Sequence, residues 1–169
     1  MNLKIAISFL SKHQPFPDDD DLDQQTLDDW LSVRTYLKQN PSEECVPLLL
    51  NCFGRMDGCG SYCDVELLLS KCNPTIVIDS LKTSLRSPNE AVRFWSCEIA
   101  SNYKTSRLYP ELEECLQDQD EGVRLAAVTP VSQQEPKFAL PLLNARLLTE
   151  KHPLVIDAIQ AAIRDIERR

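Results

Sequence analysis

Seven cysteines are the residues of this chain best suited to chemistry, and five of them, Cys45, Cys52, Cys59, Cys63 and Cys72, fall within 28 residues. Tetrahedral zinc takes thiolates in close pairs, typically two to four residues apart. Cys59 and Cys63 fit one such pair loosely, but Cys52 and Cys72 have no close partner. A catalytic thiol needs a base beside it, and the two histidines, His13 and His152, stand in an N-terminal loop and a distant turn. An odd count also argues against a disulfide framework. The cysteines therefore read as reduced thiols, with Cys97 and Cys115, buried as small hydrophobes. No catalytic residue, cofactor or metal ligand is expected.

Two other groups could bind rather than react. Asp18, Asp19, Asp20 and Asp21, followed by Asp23, Asp28 and Asp29, form the largest block of one sign. They lack the alternating acids and the glycine of a calcium loop. They read either as a solvated loop leading into a helix N-terminus, where the macrodipole favours negative charge, or as a recognition edge for a basic protein. Phe94, Trp95, Tyr103 and Tyr109 form an aromatic group. Phe94 and Trp95 are adjacent, so on a helix they point about 100° apart and cannot be equally buried in a thin two-layer fold. One of them is expected in the core and the other near the surface or a groove, where aromatic side chains anchor partners.

The elements that must position these residues follow a repeat. Leu81-x3-Leu85 leads to Val92-Arg93, and 31 positions later Leu112-x3-Leu116 leads to Val123-Arg124. A third copy runs from Leu143-x3-Leu147 to Val155 with one extra turn residue, and Pro47, Pro110 and Pro141 keep nearly the same beat. A fixed period of this length means stacked units that bury a continuous core only together.

Residues 3–12 fit a short helix or a strand. A helix is expected over about 22–39, with Leu27, Trp30, Leu31 and Leu37 and the aliphatic part of Arg34 on one face, ended by Asn40-Pro41. Hairpins follow: a helix from Ser42 carrying Val46, Leu49, Leu50 and Phe53 with a partner from Asp64; then 75–86 with 89–103, 108–117 with 120–133, and 136–149 with 153–168. Pro130 should kink or shorten its helix. The expected organisation is a cap over residues 1–41 and a repeat stack over 42–169.

These copies resemble short HEAT repeats of the bacterial type, as in phycobilin lyases. The likeness rests on the helix prolines, on the turn residues Asn89, Asp118 and Asp120, and on the Val-Arg pairs. It is strongest in the middle two units. In the last, Ile156 replaces the arginine, and in the first, Gly58-Cys59-Gly60 replaces a regular turn. The resemblance implies an all-α fold, an α-solenoid of about four short HEAT-like helical hairpins behind an N-terminal helical cap. It also implies that Arg93 and Arg124 pair with turn acids, and that such repeats bind proteins.

The net charge of −8 disfavours nucleic acid, which needs a positive field, and favours a basic protein partner. No apolar run reaches membrane-spanning length, and the N-terminus lacks the pattern of a secretory signal, so a cytoplasmic location is expected. The expected function is a non-catalytic protein-binding module. Its most concrete form is a small immunity protein that neutralises a basic toxin, using Asp18–Asp21 and the aromatic group Phe94, Trp95, Tyr103 and Tyr109. The alternatives are an adaptor or chaperone of HEAT type and a helper enzyme resembling the bilin lyases.

Overall fold

A computed structural model describes residues 1–55 and 62–169. Gly58, Cys59 and Gly60, and with them the Cys59–Cys63 pair, lie outside the described residues, as does the side chain of Asp19. Among the described residues every regular element is a helix, and the fold is an all-α solenoid of short helical hairpins. The chain divides into two compact units, Met1–Ser84 and Leu85–Arg169.

The first unit opens with α1, Leu3–Lys12, which settles the helix-or-strand ambiguity. Asn2 caps it by accepting the Ile5 N–H at 3.0 Å, and Ala6 and Leu10 are buried. Helix α2, Gln24–Gln39, starts where Asp23 accepts the Thr26 N–H at 2.7 Å. It buries Trp30, Val33 and Leu37, whereas Leu31, expected on that face, is 43% exposed. The buried stripe advances by three and four residues through Val33, which leaves Leu31 about 100° to one side of Trp30.

The helix expected from Ser42 to Phe53 is shorter. A 3-10 turn over Glu43–Cys45 precedes α3, Val46–Leu50, with Pro47 in its first turn, where a missing N–H costs nothing. Helices α4, Tyr62–Leu69, and α5, Pro74–Ser84, complete the unit. α3 lies at its centre against α1, α4 and α5, and α2 packs on α1 and α4. Asp64, expected to begin α4, sits in its first turn and receives Arg34 and, at 3.2 Å, Lys38. Gly54 closes the turn after α3. Its N–H donates to the Tyr62 hydroxyl at 2.6 Å, and a Cβ there would stand 2.9 Å from the Phe16 carbonyl oxygen.

The second unit follows the repeat closely. Its helices are α6, Glu90–Ala100; α7, Tyr109–Leu116; α8, Glu121–Ser132; α9, Pro136–Leu147; and α10, Pro153–Glu167. α6, α8 and α10 lie side by side in one layer, with α7 and α9 bridging neighbours. Asn89 and Asp120 cap α6 and α8 by accepting the N–H of Ala91 and of Val123, both at 2.9 Å. α8 does not stop at Pro130 but continues to Ser132. So close to the C-terminus the missing N–H removes one bond of the ladder, and the Gln134 side chain covers the proline's carbonyl at 3.1 Å.

Candidate functional site

The Val-Arg pairs prove structural. With steps of 31 and 32 residues, Ser87, Asp118 and Glu150 share one register, and Arg93, Arg124 and Ile156 another. Arg93 donates to its own turn at the Ser87 carbonyl (2.8 Å) and forks onto Asp118 of the following unit at 2.6 and 2.9 Å. Arg124 repeats the pattern, donating to the Asp118 carbonyl at 2.9 Å and forking onto Glu150 at 2.8 and 3.0 Å. Each arginine thus ties its turn to the next. Bidentate pairs of this kind are strong and directional.

Glu150, a rung the sequence reading did not pick out, also receives Arg146 and the backbone N–H groups of Lys151 and His152. The Arg124 hydrogen bonds, aided by those backbone donors and Arg146, hold its carboxyl far below the usual range despite burial. Burial pushes Asp118 up, but the bonds from Arg93 and the Asp120 N–H outweigh it and the net shift is down. The ladder ends at Ile156, where no arginine stands. A third rung in the same unit joins Arg86 to Glu114 and Glu111.

Six of the seven cysteines lie among the described residues. Cys45, Cys52, Cys97 and Cys115 are buried, whereas Cys63 is exposed and Cys72 half-buried, so the expectation that all are buried fails for these two. Burial raises the Cys45 and Cys72 thiols and pushes Cys52 up to about 12. Cys97 is raised first by its hydrogen bond with Cys115 and then by burial. Reactive thiols show the opposite shift. Cys45 and Cys52 do not share a helix, because α3 begins after one and ends before the other.

The aromatic group divides. Phe94 and Trp95 are both half-buried on α6, and their rings meet edge to face at 5.3 Å. Phe94 also lies over the start of α8, where Gly122 leaves room: a Cβ at Gly122 would be 3.7 Å from the ring. Tyr109 belongs to another cluster. Its ring is 5.0 Å from that of Phe138 and its hydroxyl donates to the Phe138 carbonyl at 3.0 Å. Burial, with Glu113 nearby, raises its phenol. Tyr103 is half-buried in the turn after α6.

The acidic run is partly committed to the fold. The Asp18 carboxylate accepts the Arg55 N–H at 3.1 Å, and Asp19–Asp21 form one 3-10 turn. Asp20 and Asp21 are exposed. The helix flank expected of this run is supplied by Asp23, whose carboxyl is lowered chiefly by the Thr26 N–H.

Sequence reasoning passed over a cavity of about 390 Å³ between α1 and α2, lined by Ile5, Ser8, Phe9, Lys12, His13, Asp23, Gln25, Thr26 and Asp29. The signal was available in part: Phe9 and His13 are one helical turn apart, and their rings meet at a tilt of 50° with centroids 4.4 Å apart.

The family described as HEAT repeats matches residues 78–164. No curated protein matches the chain. Among the described residues no helix is long and apolar enough to cross a membrane.

Proposed function

This chain belongs to the HEAT-repeat family, and from that premise we propose that it is a non-catalytic protein-binding module for a basic partner. The observation that carries the reading is where the charge lies. Residues 1–84 hold 13 acidic and 7 basic residues, whereas residues 85–169 hold 13 and 11. The second unit also spends its acids on its own cations: Asp118, Glu150, Glu111 and Glu114 are all engaged by arginines. The surplus negative charge therefore sits on the first unit, where exposed Asp20 and Asp21 can steer a basic protein.

The concrete form of the proposal is a cytoplasmic immunity protein that neutralises a basic toxin. Phe94 and Trp95, half-buried and packed edge to face, act as anchors, with Tyr103 and Tyr109 beside them in sequence. Rigid aromatic side chains of this kind carry much of the energy of protein interfaces. The acidic run Asp18, Asp19, Asp20 and Asp21 supplies encounter rate and salt dependence.

The test is affinity capture of the tagged chain from its native cell at low salt, read by mass spectrometry. One stoichiometric basic partner, toxic when expressed alone and bound less tightly at high salt, supports the reading. Many substoichiometric clients, or an affinity indifferent to salt, would sink it.

A further inference from the structure

We propose that the cavity between α1 and α2 is a receptor for a cationic side chain, arginine foremost. This deepens the basic-partner reading and rests on it for the identity of the protein that carries the cation. The cavity, at about 390 Å³, lies within the range of small-ligand sites. Its chemistry is uneven in a telling way. One wall is aromatic: the Phe9 and His13 rings line it, and behind them stand Phe16, with its centroid 6.3 Å from Phe9 and 5.8 Å from His13, and Trp30, 6.5 Å from Phe9. The lining also includes two carboxylates, Asp23 and Asp29. Aromatic faces together with carboxylates are the combination that recognises guanidinium and ammonium groups, the rings through their quadrupoles and the acids through charge.

The wall is rigid. Phe16 and Trp30 are 4% and 3% exposed, and the His13 Nδ1 lies 3.1 Å from the Phe9 carbonyl oxygen, which fixes the ring beside its neighbour. Asp23 is held by its cap to Thr26. Among the described residues Asp29 accepts from the exposed Gln25 amide, at 3.0 Å, a neutral donor that a cation can replace. The lining also includes a cation, Lys12, whose charge helps to lower Asp23. An incoming guanidinium must compete with it, so removing Lys12 strengthens binding. That sign separates a recognition site from an acidic patch that merely needs neutralising within the fold.

The experiment is a two-dimensional amide NMR titration of the full chain with N-acetyl-arginine amide, with its neutral isostere N-acetyl-citrulline amide, and with tetramethylammonium. The expected result is saturable shifts at Ile5, Phe9, His13 and Asp29 with the arginine compound and none with citrulline. Asp29→Asn and Phe9→Leu should each weaken binding by about two- to five-fold, and Lys12→Gln should strengthen it. Asp29 is exposed, so its variant keeps the fold if Phe9→Leu does not. Equal shifts with citrulline, or no effect of Asp29→Asn and Lys12→Gln, would overturn the proposal. Tighter binding of tetramethylammonium than of the arginine compound would replace the side chain by a free quaternary amine and overturn it too. The two readings fail separately. A basic partner that binds the Asp29→Asn chain as tightly as the parent removes the cavity and leaves the partner. Arginine-dependent shifts with no basic partner in the cell remove the partner and leave the cavity.

Discussion

Residues 85–169 and residues 1–84 are made of the same short helices but held together in different ways. In the second unit the repeat register places an arginine opposite the next turn's carboxylate, and Arg93–Asp118 and Arg124–Glu150 are successive rungs of one ladder. In the first unit Tyr62 stands where a repeating arginine would be sought, and the acid Asp64 is reached from α2 instead, by Arg34 and Lys38. There the tight joints are aromatic and steric: Phe9, Phe16 and Trp30 in one cluster, and Phe53 edge to face on Tyr62 at 5.0 Å, with Gly54 beside it. A repeated sequence can store stability in repeated ion pairs, which also consume its charge. A unit that departs from the repeat keeps its charge on the surface and depends on a few close contacts.

The sharpest way to break this comparison is to cut one rung in each unit. Glu150→Ala removes a carboxylate that is 1% exposed and leaves the Arg124 side chain, 11% exposed, with no countercharge from that turn. Stranding a buried charge costs roughly 3–5 kcal/mol. Asp64→Ala should cost less than about 1 kcal/mol, because Arg34 and Lys38 are 29% and 32% exposed and water takes over. The chain has two tryptophans, Trp30 in the first unit and Trp95 in the second. Urea unfolding of single-tryptophan variants therefore reads each unit. Equal losses for the two substitutions would remove the distinction between ladder and surface pair.

Acid should act on the same asymmetry. Glu150 and Asp118 both have folded-state values below their ordinary ones, so the folded unit binds fewer protons than the unfolded chain in the acid range. Their contribution is fully present above the unfolded values, about 4.3 for Glu and 3.9 for Asp. It is lost progressively as pH falls through the lower folded values. The expected outcome is that the second unit loses stability steadily below about pH 4.5, and that Glu150→Gln flattens that slope while lowering stability at neutral pH. An unchanged slope in the Gln variant would mean that the rung does not govern acid unfolding.

In the first unit the corresponding weak point is Gly54. A Cβ there would meet the Phe16 carbonyl oxygen at 2.9 Å, the Asp18 carboxylate at 3.0 Å and the Tyr62 hydroxyl at 3.1 Å. Because the nearest atom is backbone, Gly54→Ala must displace the loop that carries the acidic run. Overpacking of this kind costs roughly 1–3 kcal/mol. The loss should register at Trp30 and not at Trp95.

How much of this was legible follows the same division. In the second unit the helices and the turn residues Asn89 and Asp120 could be read because each is repeated at a fixed step, and the pairing of Arg93 and Arg124 with acids followed from the resemblance to HEAT repeats. Glu150 escaped because one extra residue in the last turn shifts it from the position where Asp118 predicts an acid. In the first unit the pattern gave α2 and its proline stop but misplaced Leu31, since Leu27, Trp30 and Leu37 fit a stripe through either residue 31 or residue 33. The cavity between α1 and α2 was hidden because it depends on how two helices pack, and no single period carries that. Phe94 and Trp95 were singled out for their types alone; that Phe94 lies against Gly122 at the start of α8 is something only a contact reveals.

Gly122 also supplies the smallest and most discriminating test. It occupies the register of Ala91 and Leu154, so the backbone tolerates a side chain there, and alanine favours the helix by up to about 1 kcal/mol. Against that, the new Cβ would lie 3.0 Å from the Asp120 carboxylate, which caps α8, and a cap is worth about 1 kcal/mol. The two terms nearly cancel, and Gly122→Ala should change stability by less than about 0.5 kcal/mol, within the range of ordinary surface substitutions. A larger side chain reaches the Phe94 ring and must turn it away from its place beside Trp95. Gly122→Leu should therefore leave Trp95-detected unfolding almost unaltered, change the near-ultraviolet signal of the aromatic pair and weaken the partner by several-fold. Stability and binding that fall together would instead make Phe94 a core residue, and the anchor would have to be sought in the first unit, beside the cavity.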